Sequence, residues 1–221
     1  MGILISPSVL NANLARLAEE VGRISAVADM VHLDVMDAHF VPNLTFGLPV
    51  VESLLEHSSV PADVHLMIDD PDSWAPRYAE AGCYSVTFHV EAARDPGMTA
   101  RSIRVAGARS AIAVKPDTAI EAVDAYLPFI DMILVMTVEP GWGGQPFLEP
   151  MLDKVRAARR RADDTGLDIW VQVDGGVTED NIGRCSEAGA NVFVAGSAVY
   201  RSDDPAATVQ ALRVRAESTS R

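Results

Sequence analysis

The chain has 221 residues, of which 48% are hydrophobic and 22% are charged. This composition supports a sizeable core and excludes a disordered protein. The formal net charge of −13 argues against nucleic acid and anionic membranes as partners. Cys83 and Cys185 are too few for a disulfide scaffold and are predicted to be reduced thiols. Since the chain shows neither a signal-peptide pattern nor a run of about 18 apolar residues, a cytoplasmic location off the membrane is expected.

Short runs of aliphatic and aromatic residues predict eight β-strands. In chain order they span residues 3–10, 30–35, 62–67, 85–90, 110–114, 132–136, 169–173 and 191–195. Helical periodicity separates most of them, as in residues 13–24, 73–81, 119–127, 151–162 and 181–188, and a last helix fits 205–217. Strict alternation of strand and helix is typical of βαβ units and a parallel sheet. The sequence therefore predicts one α/β domain over residues 1–221, a (β/α)₈ TIM barrel, with an open doubly wound sheet as the alternative.

Polar residues interrupt the apolar pattern of the second strand. His32 and Asp34 are two positions apart in VHLDVM, so they share the face that points into the barrel. His65 in the third strand and Asp174 at the end of the seventh are expected at the same mouth, where the carboxyl ends of barrel strands converge. Two imidazoles and two carboxylates suit Zn²⁺, with Fe²⁺, Mn²⁺ and Co²⁺ as rivals. His89 also ends a strand, but it is left outside this metal set as a further pocket candidate.

Glycine clusters follow the last three predicted strands. They lie in residues 137–147 (TVEPGWGGQPF), 174–181 (DGGVTEDN) and 195–200 (AGSAVY). Glycine allows backbone N–H groups to approach an anion closely, and the loops after strands seven and eight commonly bind phosphate in TIM barrels. These clusters predict a phosphate site, which explains how an acidic protein could hold an anionic small molecule.

Together these stretches resemble the ribulose-phosphate 3-epimerase family. The resemblance runs from about Ile5 to Arg201 and is carried, in order, by ISPSVLNAN, VHLDVMDAHFVPNLTFG, DVHLMIDDP, VMTVEPGWGGQPF, VDGGVTEDN and VAGSAVY. It implies a metal-dependent barrel of the ribulose-phosphate-binding type. The implied reaction interconverts D-ribulose 5-phosphate and D-xylulose 5-phosphate, in the pentose phosphate pathway, by two-aspartate proton transfer through a metal-stabilised enediolate. No NAD is implied, and the family's assemblies imply a homo-oligomer.

The resemblance also assigns roles to individual residues. It makes His32, Asp34, His65 and Asp174 the metal ligands, and Asp34 and Asp174 the acid/base pair as well. Ser8, His65 and Asp174 are implied to contact the substrate. The phosphate end is implied to lie against Gly141, Trp142, Gly143, Gly144, Gly175, Gly176, Gly196 and Ser197, and the reacting carbons against Met36, Met67 and Met136.

The chain departs from the family's pattern in three places. Residues 11–13 read Asn-Ala-Asn where Ser-Ala-Asp is usual, and Asn13 is still expected to cap the first helix. Trp142 stands where Phe is common. Ala38 stands where Gly is common, which predicts that its backbone does not require a positive φ.

Other functions remain open at this stage. One alternative is the 3-epimerase of a hexulose phosphate such as allulose 6-phosphate. Another is a sugar-phosphate decarboxylase or synthase centred on a lysine, for which Lys115 after the fifth strand is the candidate. A metal-dependent hydrolase and a non-catalytic sugar-phosphate binder are the remaining classes. The loop over residues 139–147 is a candidate lid.

Overall fold

Eight parallel strands form one sheet in the computed structural model, which describes residues 2–220. They are β1 (Leu4–Ser6), β2 (Val31–Met36), β3 (Ala62–Met67), β4 (Ser85–His89), β5 (Arg109–Val114), β6 (Met132–Met136), β7 (Trp170–Asp174) and β8 (Val192–Val194). The order in the sheet is β1-β8-β7-β6-β5-β4-β3-β2, and a parallel bridge between Ser8 and His32 joins the two ends. The predicted TIM barrel is confirmed.

Helices connect the strands and pack around the sheet. They are α1 (Leu17–Gly22), α2 (Leu48–His57), α3 (Pro71–Glu80), α4 (Pro96–Val105), α5 (Met151–Thr165), α6 (Glu179–Glu187), α7 (Ser197–Tyr200) and α8 (Pro205–Glu217). The more tightly wound 3₁₀ helices span Val9–Asn11, Leu14–Arg16 and Ile120–Phe129. Within the described part of the chain, no helix is both long and apolar enough to cross a bilayer.

Two predicted elements differ from the structure for local reasons. The first strand was predicted over residues 3–10 but ends at Ser6, because Pro7 has no N–H for the ladder and Ser8 caps a 3₁₀ turn by accepting a bond from the Leu10 N–H at 3.2 Å. Helical periodicity over 119–127 corresponds to a 3₁₀ helix, Ile120–Phe129, that contains a proline. Asn13 does cap the turn that follows it, since its side chain accepts from the Ala15 N–H at 3.1 Å.

The prediction for Ala38 is wrong. Its φ is +61°, which makes it the one non-glycine residue with a positive φ in the described chain. The sharp turn after β2 imposes this conformation. There the Ala38 N–H donates to the Asn43 carbonyl at 2.9 Å, and the Asp37 carboxylate accepts from the His39 and Phe40 N–H groups at 2.8 and 2.9 Å. Ala38 therefore occupies a left-handed position at which alanine is strained.

The two faces of the sheet differ in chemistry. In β2 the aliphatic side chains at positions 31, 33 and 35 are buried in the core shared with the helices, while the alternate positions point into the barrel. The helices thus cover an apolar outer face, and the polar chemistry is confined to the interior.

Cys83 and Cys185 are both free and buried, and burial raises the pKa of each thiol to about 12.

Candidate active site

Four of the predicted site residues meet at the carboxyl end of the barrel. His32 and Asp34 come from β2, His65 from β3 and Asp174 from the last position of β7. Asp34 is paired with His65 in the register of β2 and β3, which fixes their relative height. One nitrogen or oxygen from each of the four side chains lies within 4.8 Å of the others. Side chains that are distant in sequence therefore form one compact N₂O₂ set.

The two histidines face this set with unpaired nitrogens. His32 Nε2 lies 3.5 Å from Asp34 Oδ1 and 3.8 Å from Asp174 Oδ2. His65 Nδ1 lies 3.3 Å and 3.5 Å from the same two oxygens. Both nitrogens are buried without a hydrogen-bond partner anywhere in residues 2–220. Since buried polar atoms are normally satisfied, four donors around a common point fit a divalent cation.

The charges around the four side chains also favour a bound cation. Burial alone would lower the pKa of His32, but the negative charges of Asp63 and Asp34 outweigh it and raise that pKa well above its usual value. Burial would raise the pKa of Asp34, yet the adjacent His32 and His65 hold it far below the ordinary range. The point between the four side chains therefore attracts positive charge, which a proton or a metal ion can supply.

A cleft opens directly above the cluster. It encloses about 510 Å³ of empty space when the open mouth is included. Asp34, Asp174 and the three predicted methionines, Met36, Met67 and Met136, line its floor. All predicted substrate contacts line the cleft except His65, which is fully buried beneath it.

Ser8 lies in the same cleft, where its hydroxyl donates to Asp34 Oδ2 at 2.6 Å. Asp34 therefore turns Oδ1 toward the histidines and holds Oδ2 against Ser8. This bond orients the carboxylate, because each of its oxygens has a different neighbour.

Glycine backbone forms the far end of the cleft. All of the glycines predicted to bind phosphate line it, together with Trp142 and Ser197. Gly175 and Gly176 have φ values of +122° and +67°, and a Cβ on Gly176 would lie 2.6 Å from the Phe147 nitrogen. A Cβ on Gly143 would meet the Asn11 side chain at 2.8 Å. A side chain at Gly176 would therefore collide with main chain, whereas one at Gly143 would require the Asn11 side chain to move. The wall here consists largely of main chain from the loops after β6, β7 and β8.

Asp63 is a buried residue behind the site that was not identified from the sequence. Its carboxylate accepts a bond from His32 Nδ1 at 2.7 Å. It also accepts from Ser85 Oγ at 2.6 Å, Gln172 Nε2 at 2.6 Å and Ser6 Oγ at 3.2 Å. Because an ionised carboxylate only accepts, His32 Nδ1 carries a hydrogen, and in the neutral form of the ring Nε2 directs its lone pair at the four-residue cluster.

A second chain of polar groups lies behind His65. His65 Nε2 is 2.9 Å from His89 Nε2, and His89 Nδ1 is 3.1 Å from Glu91 Oε2. Burial lowers the pKa of His89 to about 4, although Glu91 opposes that shift. A sequence signal for these supporting residues did exist, because Asp63 and His89 continue the inward polar alternation of β3 and β4.

Comparison with known proteins gives the family. The model of the ribulose-phosphate 3-epimerase family matches residues 4–200. The ribulose-phosphate 3-epimerase of Mycobacterium tuberculosis is 57% identical over 219 residues, which cover 99% of this chain and 95% of that protein. The enzyme of the same name from Escherichia coli K12 is 43% identical over 212 residues, covering 95% and 94% of the two chains.

Solved structures of low sequence identity share the fold. The 3-keto-L-gulonate-6-phosphate decarboxylase of Vibrio cholerae superposes with a TM-score of 0.74 at 17% identity, covering 99% of this chain and 98% of its own. The orotidine 5'-phosphate decarboxylase of Pyrococcus horikoshii gives a TM-score of 0.68 at 13% identity, covering 97% and 99%. These likenesses support the barrel alone, whereas the full-length match at 43–57% identity is to epimerases. The chain belongs to the ribulose-phosphate 3-epimerase family of isomerases.

Proposed function

We propose that this protein interconverts D-ribulose 5-phosphate and D-xylulose 5-phosphate by inverting carbon 3. The observation that carries the proposal is the convergence of Asp34 and Asp174, from β2 and β7, on the floor of a cleft whose far wall is glycine backbone. Inversion beside a carbonyl requires one group to remove a proton and another to return a proton to the opposite face. Two carboxylates on separate strands supply that pair.

The roles of the two acids follow from their surroundings. The adjacent histidines lower the pKa of Asp34 and keep it ionised, so it starts the reaction without a proton, and Ser8 orients its carboxylate. Asp174 also lines the cleft and approaches from β7. In the forward direction one carboxylate takes the proton from carbon 3 while the other, protonated, donates to the opposite face. In the reverse direction the roles exchange. Backbone N–H groups of the glycine wall hold the phosphate and fix which carbon lies over the acids.

The four-residue cluster supports a bound divalent ion. When bound, that ion supplies positive charge beside the oxygens on which negative charge develops as the proton leaves. We propose Zn²⁺, because two imidazoles and two carboxylates would offer it four ligands of the types that it commonly binds. Fe²⁺, Mn²⁺ and Co²⁺ accept the same donors and remain the rivals.

The lysine-centred alternative has less support. Lys115 and Lys154 are the only lysines of the chain. The Lys115 ammonium lies over the Phe40 ring, 3.8 Å from its centre, and does not line the cleft. The Lys154 ammonium donates to three backbone carbonyls, those of residues 115, 116 and 118, at 2.6–2.9 Å. Neither is directed at the substrate site.

Further predictions from the sequence are retained as proposals. The chain forms a single domain over residues 1–221, assembles as a homo-oligomer, and acts in the cytoplasm in the pentose phosphate pathway. The loop over residues 139–147 closes over the substrate. In the described conformation this loop is tied to the loop after β2, since Asn43 Nδ2 donates to the Gly141 carbonyl at 2.8 Å. Closure would therefore require that bond to break or to move with the loop.

The test is NMR of the zinc-loaded protein with D-ribulose 5-phosphate in D₂O, beside Asp174→Asn. We expect D-xylulose 5-phosphate with deuterium at carbon 3, and loss of turnover in the variant. Absence of product and of exchange from zinc-replete protein would reject the pentulose assignment. The same assay with allulose 6-phosphate would then test the hexulose alternative.

A further inference from the structure

We infer that His89 and Glu91 are positioning residues that fix the proton on His65 and so direct the free electron pair of His65 Nδ1 at the metal site. The inference rests on the proposed function, because it assumes that His65 is a metal ligand. It assigns a role to the two polar residues behind His65, neither of which lines the cleft.

The geometry begins with two imidazole nitrogens that face each other. His65 Nε2 and His89 Nε2 are 2.9 Å apart, both side chains are fully buried, and their rings stack at 5.0 Å with a 27° tilt. Two N–H groups cannot point at one another at this distance, and two lone pairs would leave both nitrogens unsatisfied. One ring therefore donates through its Nε2 and the other accepts.

Metal binding decides which ring donates. A histidine binds a metal through a deprotonated nitrogen, and His65 Nδ1 is the one directed at Asp34 and Asp174. The remaining hydrogen of neutral His65 is then on Nε2, which donates to His89. The hydrogen of His89 must consequently be on Nδ1, where Glu91 Oε2 accepts it at 3.1 Å. The chain of bonds has a single direction, from the metal ligand to the carboxylate.

The terminal carboxylate is itself held in place. Glu91 Oε1 accepts from the Lys115 backbone N–H at 2.8 Å, so its two oxygens have different partners. Phe40 packs on His89 with ring centres 4.7 Å apart, and the Lys115 ammonium lies over the Phe40 ring at 3.8 Å from its centre. His89 lies between His65 and Phe40 and has little freedom to rotate. A fixed ring and a fixed carboxylate are what a positioning role requires.

The other metal-ligand histidine is supported differently. His32 Nδ1 donates directly to the buried Asp63 carboxylate at 2.7 Å, whereas His65 reaches its carboxylate only through the intervening imidazole. Because the His89 ring is neutral, it holds His65 in its orientation without placing a second full charge next to this metal ligand. We therefore expect Glu91 to affect the metal site through His89 alone.

The direct test is ¹⁵N NMR of histidine-labelled protein loaded with Zn²⁺, with the His89 resonances assigned by their absence in His89→Gln. The expected pattern is a protonated Nδ1 and an unprotonated Nε2 on His89, and a protonated Nε2 on His65. A hydrogen on His89 Nε2 would overturn the inference, since the direction of the chain would then be reversed.

A matched pair of variants tests the consequence for the metal. Glu91→Gln removes the charge and leaves one side-chain oxygen for two donors, the Lys115 N–H and His89 Nδ1. Asp117→Asn makes the same charge change at an exposed position in the loop after β5. Competition with a chelator should show zinc affinity lowered about 10- to 100-fold in Glu91→Gln and unchanged in Asp117→Asn.

The outcomes separate the two proposals. If the parent protein takes up no zinc, the metal in the proposed function is wrong and the inference falls with it. If the parent binds zinc and both variants bind it equally well, the proposed function stands and only the positioning role is rejected. Glu91→Gln keeps the size of the side chain, and thermal unfolding of Glu91→Gln and His89→Gln checks that both variants retain the folded barrel.

Discussion

The two ends of the cleft differ in the part of the chain that forms them, which is side chains at one end and main chain at the other. At one end, four side chains on rigid strands converge within 4.8 Å, and further buried polar groups hold them in place. At the other end, loop backbone forms the wall, and glycines with positive φ keep side chains out. An isosteric substitution can change the chemistry of the first end without changing its shape. Only an added atom can change the second, because its proposed binding groups are main-chain N–H groups, which every residue except proline possesses.

This difference predicts separable defects. Substitutions at the side-chain end should lower turnover and metal affinity, but they should not change the affinity for the phosphate group. Substitutions at the backbone end should raise KM for the sugar phosphate and should not change the metal affinity. The predictions that follow test that separation, from the largest expected effect to the smallest.

Asp34→Asn should give the largest effect. The amide keeps the volume of the carboxylate and can still accept from Ser8, but it cannot remove a proton from carbon 3. Turnover at saturating substrate and metal should fall about 10²- to 10⁴-fold. Product formation followed by NMR measures it, and thermal unfolding checks that the fold is retained. Near-normal turnover in the variant would mean that Asp34 is not part of the acid/base pair.

Removal of the metal should destabilise the fold. An ion at about 100 times its Kd stabilises the folded state by about 2.7 kcal/mol, which corresponds to a Tm difference of about 5–10 °C for a chain of this length. Thermal unfolding with and without a chelator measures the difference. The shift should persist in Gly176→Ala and shrink in Asp34→Asn, because only the latter loses a ligand. Equal shifts in both variants would contradict the proposed ligand set.

Gly176→Ala should act on the phosphate end. Its φ of +67° strains any L-residue, and the new Cβ would lie 2.6 Å from the Phe147 nitrogen and 2.8 Å from the Gln145 carbonyl oxygen. Displacement of this wall should raise KM for the sugar phosphate about tenfold with a smaller effect on kcat.

Gly166→Ala is the matched control. Its φ of +68° is almost the same, but nothing lies within 4 Å of the added Cβ and the residue follows α5, away from the cleft. It should lose some stability and keep the parent KM. A raised KM in both variants would mean that backbone strain in general, rather than the shape of the phosphate wall, controls binding.

The sequence was sufficient for the barrel and for the grouping of the two histidines and two aspartates, because both depend on alternation. Strand alternation fixes the inward face of β2, β3 and β7, so His32, His65 and Asp174 could be assigned to one mouth without coordinates. The alternation of β3 places Asp63 on the inward face, but its role, like that of Glu91, depends on which residues it contacts. Asp63 reaches His32 from the neighbouring strand and Glu91 reaches His65 only through His89. Such contacts depend on sheet register and side-chain rotamers, which residue patterns do not specify.

Ala38 shows the same limit for the backbone. An alanine where glycine is common suggested an ordinary φ, yet the hydrogen bonds of the Asp37 turn hold Ala38 at +61°. The identity of a residue indicates which backbone conformations are low in energy for it. It does not report which conformation the surrounding contacts impose.

Ala38→Gly should therefore give the smallest effect, and one of opposite sign. Relief of left-handed strain gains about 1–2 kcal/mol, and the greater freedom of the unfolded chain offsets about 0.4–1 kcal/mol of it. The free energy of unfolding in urea should rise by about 0.5–1 kcal/mol. Ala81→Gly is the matched control, since Ala81 has a φ of −68° and glycine there should only destabilise. If both variants lose stability equally, the turn after β2 is not strained at Ala38, and the alanine is as well suited to that position as glycine.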